Sequence, residues 1–471
     1  MSQKALGRQA LQACVYWLQC LLDPWNYSVL ARSIYSFLLI LLAPIVGAFF
    51  MWRNRASRTQ WEALTAERFG HYPQPWDGKP PVWVHAVSVG EVRAAAPLIQ
   101  ALLLNGETVL LTHFTPTGRA EGQRLLAEEI RQGSVRQQWV PYDLFGAMRQ
   151  FVKHFKPHLV ILIEREVWPN LVAAVSQAEI PLVLASARLS ERSLKQTLWI
   201  NRLFAGLLYD AYARIDIALA QTALDGARLF DAGLPRVVVT GNLKFDVRPP
   251  AVAVQAGRDW RERLGRSVVV IASTREGEDK HLVPLIAQQI AQTSSHSETR
   301  PLFILIPRHP QRFDEAARLL DQSGCRYARW SVLRNEPLAS SALSSLDVIL
   351  TDTMGEMPFF YGAAHVAVVG GSFEPHGGQN FIEASASEVP VVIGPHTRNF
   401  ADAVVSAKAA GALVQVQTPE QAFAQVTVWL NDPVLAQTVG QAGKAWVSEH
   451  VGATDRIMEA INELVVAPGR H

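Results

Sequence analysis

The sequence predicts an α/β protein built from two doubly wound parallel-sheet domains. Three observations predict it. From Pro81 onward, short apolar runs alternate with longer helical-looking stretches, and the apolar runs empty into Ser, Thr, Gly, Glu or Arg. The series is interrupted once, between Phe245 and Ala253 with Pro249 and Pro250, and then begins again. Runs that are apolar throughout fit strands buried on both faces, and such strands need helical crossovers.

In the first series Val82 to Ala86 reads as a strand, Ser88 to Glu91 as a turn and Val92 to Leu104 as a helix. Thr108 to Thr112 is the next strand, followed by the turn Thr115 to Gly118 and a helix, and Val140 to Asp143 is a short strand end. Leu159 to Ile163 empties into Glu164, Arg165, Glu166, Val167 and Trp168; Leu182 to Ala185 leads to Ser186 and Arg188. Val237 to Lys244 is a strand running into a Gly-Asn turn before the linker. In the second series Val268 to Ala272 reaches Ser273, Leu302 to Ile306 reaches Arg308 and His309, and Val348 to Leu350 reaches Met354 and Gly355. Val366 to Val369 then enters a glycine-rich turn with Gly370, Gly371, Gly377 and Gly378, and Asn380 and Glu383 open a helix.

Composition bounds the function. The chain has 471 residues, a formal net charge of +2 and 49% hydrophobic residues, which excludes a disordered chain and argues against a dedicated nucleic-acid binder. Cys14, Cys20 and Cys325 form neither a disulfide framework nor a CxxC pair, so a reducing compartment is expected. Ser33 to Trp52 holds no charge over 20 positions, a length that spans about 30 Å as a helix. Arg53, Arg55 and Arg58 follow it, which by the positive-inside rule puts the body of the protein on the cytoplasmic side of a single anchor.

Ligands of doubly wound sheets lie beyond the carboxyl ends of the strands, where Ser88, Glu91, Thr117, Glu164, Glu166 and Arg188 fall. Glu91, one turn into a helix, reads either as a general base or as the carboxylate of a capping box with Ser88. Glu164 and Glu166 read as an acid/base or metal-binding pair, or as a salt-bridged loop around Arg165. His85 reads as a buried core or cleft histidine. In the second domain Ser273, Arg308, His309, Asn380, Glu383 and the N–H groups around Gly355 and Gly371 gather as an anion and nucleotide site, with Lys244 a point charge at the hinge. No D-x-D pair appears, so no metal site and no cofactor are expected, and a departing phosphate would rely on protein cations and helix dipoles.

The runs HAVSVGE (85–91), TPTG (115–118), PYD (141–143), EREVWPN (164–170), ARLS (187–190), TGNLKFD (240–246), IPRHPQRF (306–313), DTMGE (352–356), GGSFEPHGGQNFIEA (370–384) and GPHT (394–397) resemble those of the bacterial Kdo transferases. These are the 3-deoxy-D-manno-octulosonic acid transferases of lipopolysaccharide assembly, and the resemblance runs from about residue 30 to the end. It implies a GT-B fold, two Rossmann-like domains facing a cleft with an N-terminal membrane anchor. It also implies transfer of Kdo from CMP-Kdo to the acylated disaccharide lipid A precursor (lipid IVA), with inversion, at the cytoplasmic face of the inner membrane. Glu91 matches the family's proposed base and Glu164 a cleft carboxylate. Arg308, Met354, Gly355, Asn380 and Glu383 match the donor side, and Lys244 a position near the donor phosphate. Arg165, Gln379 and Phe381 depart from the family's usual residues. The expected division is an extension over 1–32, an anchor over 33–52, an acceptor domain over 53–245, a linker over 246–254, a donor domain over 255–450 and a C-terminal helix and tail over 451–471. Two rivals use the same scaffold: a nucleotide-sugar epimerase or uridine-donor transferase, and a non-catalytic membrane-tethered nucleotide-binding protein.

Overall fold

Strands that are apolar on both faces need helices on both faces, and the chain supplies them twice. The computed structural model describes residues 29–42, 64–73, 75–76, 78–292, 300–334, 343 and 345–466. The described residues form two compact units, one of those up to 247 together with 452–466 and the other of those within 248–451.

The first unit holds a seven-stranded sheet in the order β3-β2-β1-β4-β5-β6-β7, parallel throughout. The strands are β1 Val82–His85, β2 Val109–His113, β3 Val135–Trp139, β4 Leu159–Ile163, β5 Leu182–Ala187, β6 Ile217–Ala220 and β7 Val237–Val239. Alternate residues of one strand feed opposite cores: Trp83 packs with Phe151 and Phe155 on one face, while Val82 and Val84 pack with Leu98 and Ile99 on the other. The second core is completed from the far end of the chain by Ile457, Met458 and Ile461 of the Ala453–Val466 helix. Asp246 secures that return, accepting from the amides of Gly452 at 2.7 Å and Thr454 at 2.5 Å.

The second unit repeats the plan, with β8 Val268–Thr274, β9 Leu302–Pro307, β10 Tyr327–Arg329, β11 Val348–Leu350, β12 Val366–Val369, β13 Val391–Ile393 and β14 Leu413–Gln415. Its parallel order is β10-β11-β9-β8-β12-β13-β14. Two of its helices, Ala251–Leu264 and Met357–Ala363, cross at a pair of glycines. A Cβ on Gly257 would sit 2.0 Å from the carbonyl oxygen of Phe359, and one on Gly362 would sit 2.1 Å from that of Val254.

Some sequence expectations shift in detail. The segment Val140 to Asp143 lies beyond the end of β3, whose polar VRQQW run does not look like a buried strand. The helix expected from Val92 begins at Val89, because Ser88 adopts the extended N-cap conformation and Glu91 reaches back to its amide. Of the anchor expected over 33–52, residues 33–42 are helical and 43–52 lie outside the described residues, as do 1–28 of the expected extension and 467–471 of the tail. Among the described residues no helix is long and apolar enough to cross a membrane. The helical residues 29–42 expose Val29, Leu30, Ile34, Phe37, Ile40, Leu41 and Leu42. Their other side is fastened to the first unit: Tyr35 donates to Asp143 at 3.1 Å and Asn170 donates to Ser36 at 2.9 Å.

Candidate active site

In the first sheet β1 has β2 on one side and β4 on the other, so the strand order reverses between β1 and β4. The crevice at such a reversal is where doubly wound sheets bind ligands. The loop after β1 supplies Ser88 and Glu91; the loop after β4 supplies Glu164 and Glu166. Glu91 is the third residue of the Val89–Leu104 helix, and its Oε2 accepts from the amides of Val87 at 2.7 Å and Ser88 at 3.1 Å. The capping reading is therefore correct for one oxygen. Among the described residues nothing hydrogen-bonds Oε1.

The carboxylates around Glu91 differ in state. Burial, with repulsion from Glu166 and Glu164, pushes Glu91 up to about 8 against the pull of its two backbone hydrogen bonds. Burial also raises Glu166, opposed by the indole N–H of Trp168, which donates to its Oε2 at 2.9 Å. Burial alone would raise Glu164 too, but Lys244, Arg188 and Arg165 outweigh it and hold Glu164 below the usual carboxylate range. The decisive partner is Lys244, whose Nζ lies 2.5 Å from Glu164 Oε1. Arg165, between the two glutamates, is exposed and reaches toward Ser193 at 3.4 Å. The salt-bridged-loop reading thus holds for Glu164, with Lys244 in the place expected of Arg165. One carboxylate is kept ionised while its neighbour is kept ready to hold a proton, the usual division of acid/base sites.

The backbone bends to make this edge. Glu164 (φ 60°) and Ser186 (φ 50°) both sit in the left-handed region at the ends of β4 and β5, a conformation that side chains other than glycine adopt only when the surroundings enforce it. The Ser186 hydroxyl accepts from the amide of Leu243 at 3.3 Å and from Gln221 at 3.2 Å, and Gln221 accepts from Asn242 at 3.0 Å. That chain fixes the turn carrying Lys244. Arg188 joins through its amide, which donates to the Glu164 carbonyl at 3.3 Å.

In the second unit the reversal falls between β8 and β12. Ser273, also left-handed at φ 57°, is the penultimate residue of β8, and the amide of Arg308 just past β9 donates to the neighbouring Thr274 carbonyl at 2.9 Å. Burial and the cations Arg275 and Arg308 hold His309 below its ordinary value, a sign of a concentrated positive field. Exposed Met354 and Gly355 (φ 88°) follow β11. Asn380 precedes the Ile382–Ala386 helix, accepting from the Ile382 amide at 3.1 Å and donating to Glu383 at 2.9 Å.

The glycine turn departs from expectation. The amide of Gly371 donates to Glu278 Oε2 at 2.6 Å, and those of Ser372 and Phe373 donate to Oε1 at 3.0 and 2.9 Å. The amide of Arg275 completes the set at 2.7 Å. Glu278 is fully buried. The backbone nest that the glycines build is filled by the protein's own carboxylate, so the Gly371 N–H is not open to a phosphate in this structure. Glu278, Arg275 and Trp168 are absent from the site read in the sequence; the only signal for Glu278 is its place in the loop after β8. The site residues fall into two sets, with Ser88, Glu91, Glu164, Glu166, Arg188 and Lys244 on the first unit and the others on the second. Lys244, expected near a donor phosphate, is engaged with Glu164. Among the described residues no group of three or more His, Cys, Asp or Glu side chains is placed to hold a metal ion.

Two parallel-sheet domains with polar residues collected at the carboxyl edge of each define a protein of the GT-B class. Solved structures with this architecture include S. aureus MnaA with UDP (TM-score 0.53, 14% identity, 83% of this chain and 99% of that one). Another is the UDP-GlcNAc 2-epimerase of Neisseria meningitidis (TM-score 0.51, 16% identity, 81% of this chain and all of that one). At those identities the likeness is one of fold. The chain belongs to the 3-deoxy-D-manno-octulosonic acid transferase family. It is 46% identical over 438 residues to the Bordetella pertussis transferase of that name, covering 92% of this chain and 99% of the relative. It is 31% identical to the Haemophilus influenzae transferase, covering 91% and 98%. The family described as 3-deoxy-D-manno-octulosonic-acid transferase (kdotransferase) matches residues 64–247, and glycosyl transferases group 1 matches residues 336–446.

Proposed function

We propose that this chain transfers a Kdo residue from CMP-Kdo to the acylated disaccharide precursor of lipid A, with inversion at the anomeric carbon. The observation that carries the mechanism is the state of Glu91, a carboxylate raised to about 8 with one oxygen held by backbone amides and the other without a hydrogen bond among the described residues. Such a group accepts a proton near neutral pH, as a general base must. Glu91 Oε1 takes the proton from the acceptor hydroxyl as that oxygen bonds to the anomeric carbon. The bond from that carbon to the phosphate oxygen of cytidine monophosphate breaks, and the leaving group takes its electron pair.

The acceptor belongs to the first unit, with Ser88, Glu164, Glu166 and Arg188 lining its place beside Glu91. The donor belongs to the second unit. There Arg308 and His309 meet the phosphate, Ser273, Met354 and Gly355 border the nucleotide, and Asn380 with Glu383 takes its hydroxyl groups. Lys244 keeps Glu164 ionised and serves the phosphate only if that ion pair opens. Attachment to the cytoplasmic face of the inner membrane is supported by the uncharged run over 33–52 and by the exposed apolar side chains of residues 29–42.

The test is transfer by the purified full-length protein, with CMP-Kdo generated in the assay and a tetraacylated lipid A precursor, beside Glu91→Ala. Product from the wild type and a loss of about 100-fold or more in the variant, with donor binding intact, is the expected result. Undiminished transfer in the variant overturns the base assignment. Transfer from a uridine-linked donor in preference to the cytidine-linked one overturns the donor.

A further inference from the structure

A buried polar chain that the mechanism does not use ends beside Glu91. His85, the last residue of β1, is fully buried. Its Nδ1 lies 2.8 Å from Thr112 Oγ1, and the same oxygen accepts the indole N–H of Trp83 at 2.8 Å. Thr112 Oγ1 therefore ties the Trp83 indole and the His85 imidazole together and holds the His85 ring in place through Nδ1. Among the described residues Nε2 has no hydrogen-bond partner. Instead the His85 ring meets Trp168 edge to face, with centroids 5.0 Å apart and planes at 81°. Phe114 meets the same indole at 5.6 Å and 88°. So clamped, the indole delivers its N–H to Glu166 Oε2 at 2.9 Å.

We infer that Trp168 is a positioning residue: clamped by His85 and Phe114, it fixes the Glu166 carboxylate beside Glu91 and so sets the pH at which Glu91 releases its proton. The inference rests on the reading of Glu91 as the base. Glu91 is faced by Glu166 and Glu164, Glu166 by Arg165 and Glu164, and Glu164 by Lys244, Arg188 and Arg165. The Trp168 N–H favours the ionised form of Glu166, and an ionised Glu166 opposes ionisation of Glu91. Loss of that N–H lets Glu166 keep its proton to higher pH, relieves the repulsion and lets Glu91 ionise at lower pH. A Trp168 that only filled space would change rate or stability without moving the titration.

The experiment compares pH profiles of kcat/KM for the full-length detergent-solubilised enzyme, Trp168→Phe, Glu166→Gln and the double variant. Both single variants are expected to move the acid limb to lower pH, so that the ratio of kcat/KM at about pH 6 to that at about pH 9 rises several-fold. The double variant is expected to move no further than Glu166→Gln. An unmoved limb in Trp168→Phe, or a further shift in the double variant, overturns the inference. If Trp168→Phe does not fold, benzothienylalanine at position 168 keeps the shape of the indole and lacks only the N–H. A 13C carboxyl titration of Glu91 without substrate, assigned against Glu91→Gln, separates the two readings. A downward shift there with an active Glu91→Ala removes the base and leaves the role of Trp168 standing. No shift there with an inactive Glu91→Ala removes the role of Trp168 alone.

Discussion

Lys244 Nζ and Glu164 Oε1 lie 2.5 Å apart, with the two side chains only 16% and 12% exposed. Eighty positions separate them in the chain, and the pair ties the turn after β7 to the end of β4. Breaking a mostly buried pair from one side leaves a charge without its partner, which costs about 3 kcal/mol. Lys244→Met is expected to lower stability by about that amount, measured by urea unfolding, and Lys244→Met with Glu164→Gln to recover part of it. The folded pKa of Glu164 is depressed, so the stability it contributes is present above the unfolded carboxylate value and is lost as pH falls through the folded one. The difference between wild type and Glu164→Gln should therefore shrink on acidification. A difference independent of pH would sink the ion-pair account.

Glu91 has the opposite sign. Its folded pKa is raised from 4.5 to about 8, so the folded state binds the proton more tightly than the unfolded chain. Stability from this group is fully present below about pH 4.5 and is lost as pH rises through about 8. Activity runs the other way, because a base must be ionised to work, and kcat/KM is expected to climb toward about pH 8 and then level. Glu91→Gln removes both effects. It should be inactive and should gain stability over the wild type as pH rises, read as thermal midpoints at several pH values. A variant that loses stability relative to wild type at alkaline pH would contradict the raised pKa.

The sequence made the sheets legible for a physical reason. Parallel strands covered on both faces must be apolar at every position, and VWVH, LVILI and VVVIA stand out from their surroundings. β3 escaped because Arg136 is exposed and Gln137 half-buried on an edge strand, where one row of residues meets water. The places of Glu91, Glu164 and Arg308 just beyond strand ends were legible because each follows an apolar run closely in the sequence. The partners of those residues were not. The pairing of Lys244 with Glu164, and of Glu278 with an amide 93 positions away, exists only once distant loops meet at one sheet edge. Trp168 carried no site reading in the sequence, since nothing local shows that its N–H faces Glu166.

The helix crossing in the second unit gives a prediction independent of chemistry. At Gly257 an added methyl would sit 2.0 Å from the Phe359 carbonyl oxygen and 2.8 Å from the Ala363 nitrogen, both of them backbone atoms that no rotamer change can move. Gly257→Ala must therefore separate the two helices, and overpacking of this kind costs about 2–3 kcal/mol despite the better helix propensity of alanine. Gly265, which ends the same helix in the left-handed region at φ 67°, meets nothing within 4 Å. Alanine there pays only for the backbone, about 1 kcal/mol. Urea unfolding should place Gly257→Ala clearly below Gly265→Ala. The reverse order would show that the crossing adapts.

Glu278 offers the sharpest test of the donor side. Its carboxylate satisfies the buried amides of Gly371 and Ser372 and the part-buried amide of Phe373, and each buried amide left unpaired would cost about 1–3 kcal/mol. Glu278→Ala is therefore expected to destabilise the protein by at least about 3 kcal/mol. Glu278→Gln keeps one acceptor oxygen but turns an NH2 toward amide donors, so its loss should be smaller and concentrated in the loop after β12. Because that loop leads to Asn380 and Glu383, CMP binding by calorimetry is expected to weaken about tenfold in Glu278→Gln, equivalent to about 1.4 kcal/mol. If CMP instead bound more tightly to the variant, Glu278 would be a competitor for the phosphate rather than the brace of its site. In that case the glycine nest would be the anion site that the sequence first implied.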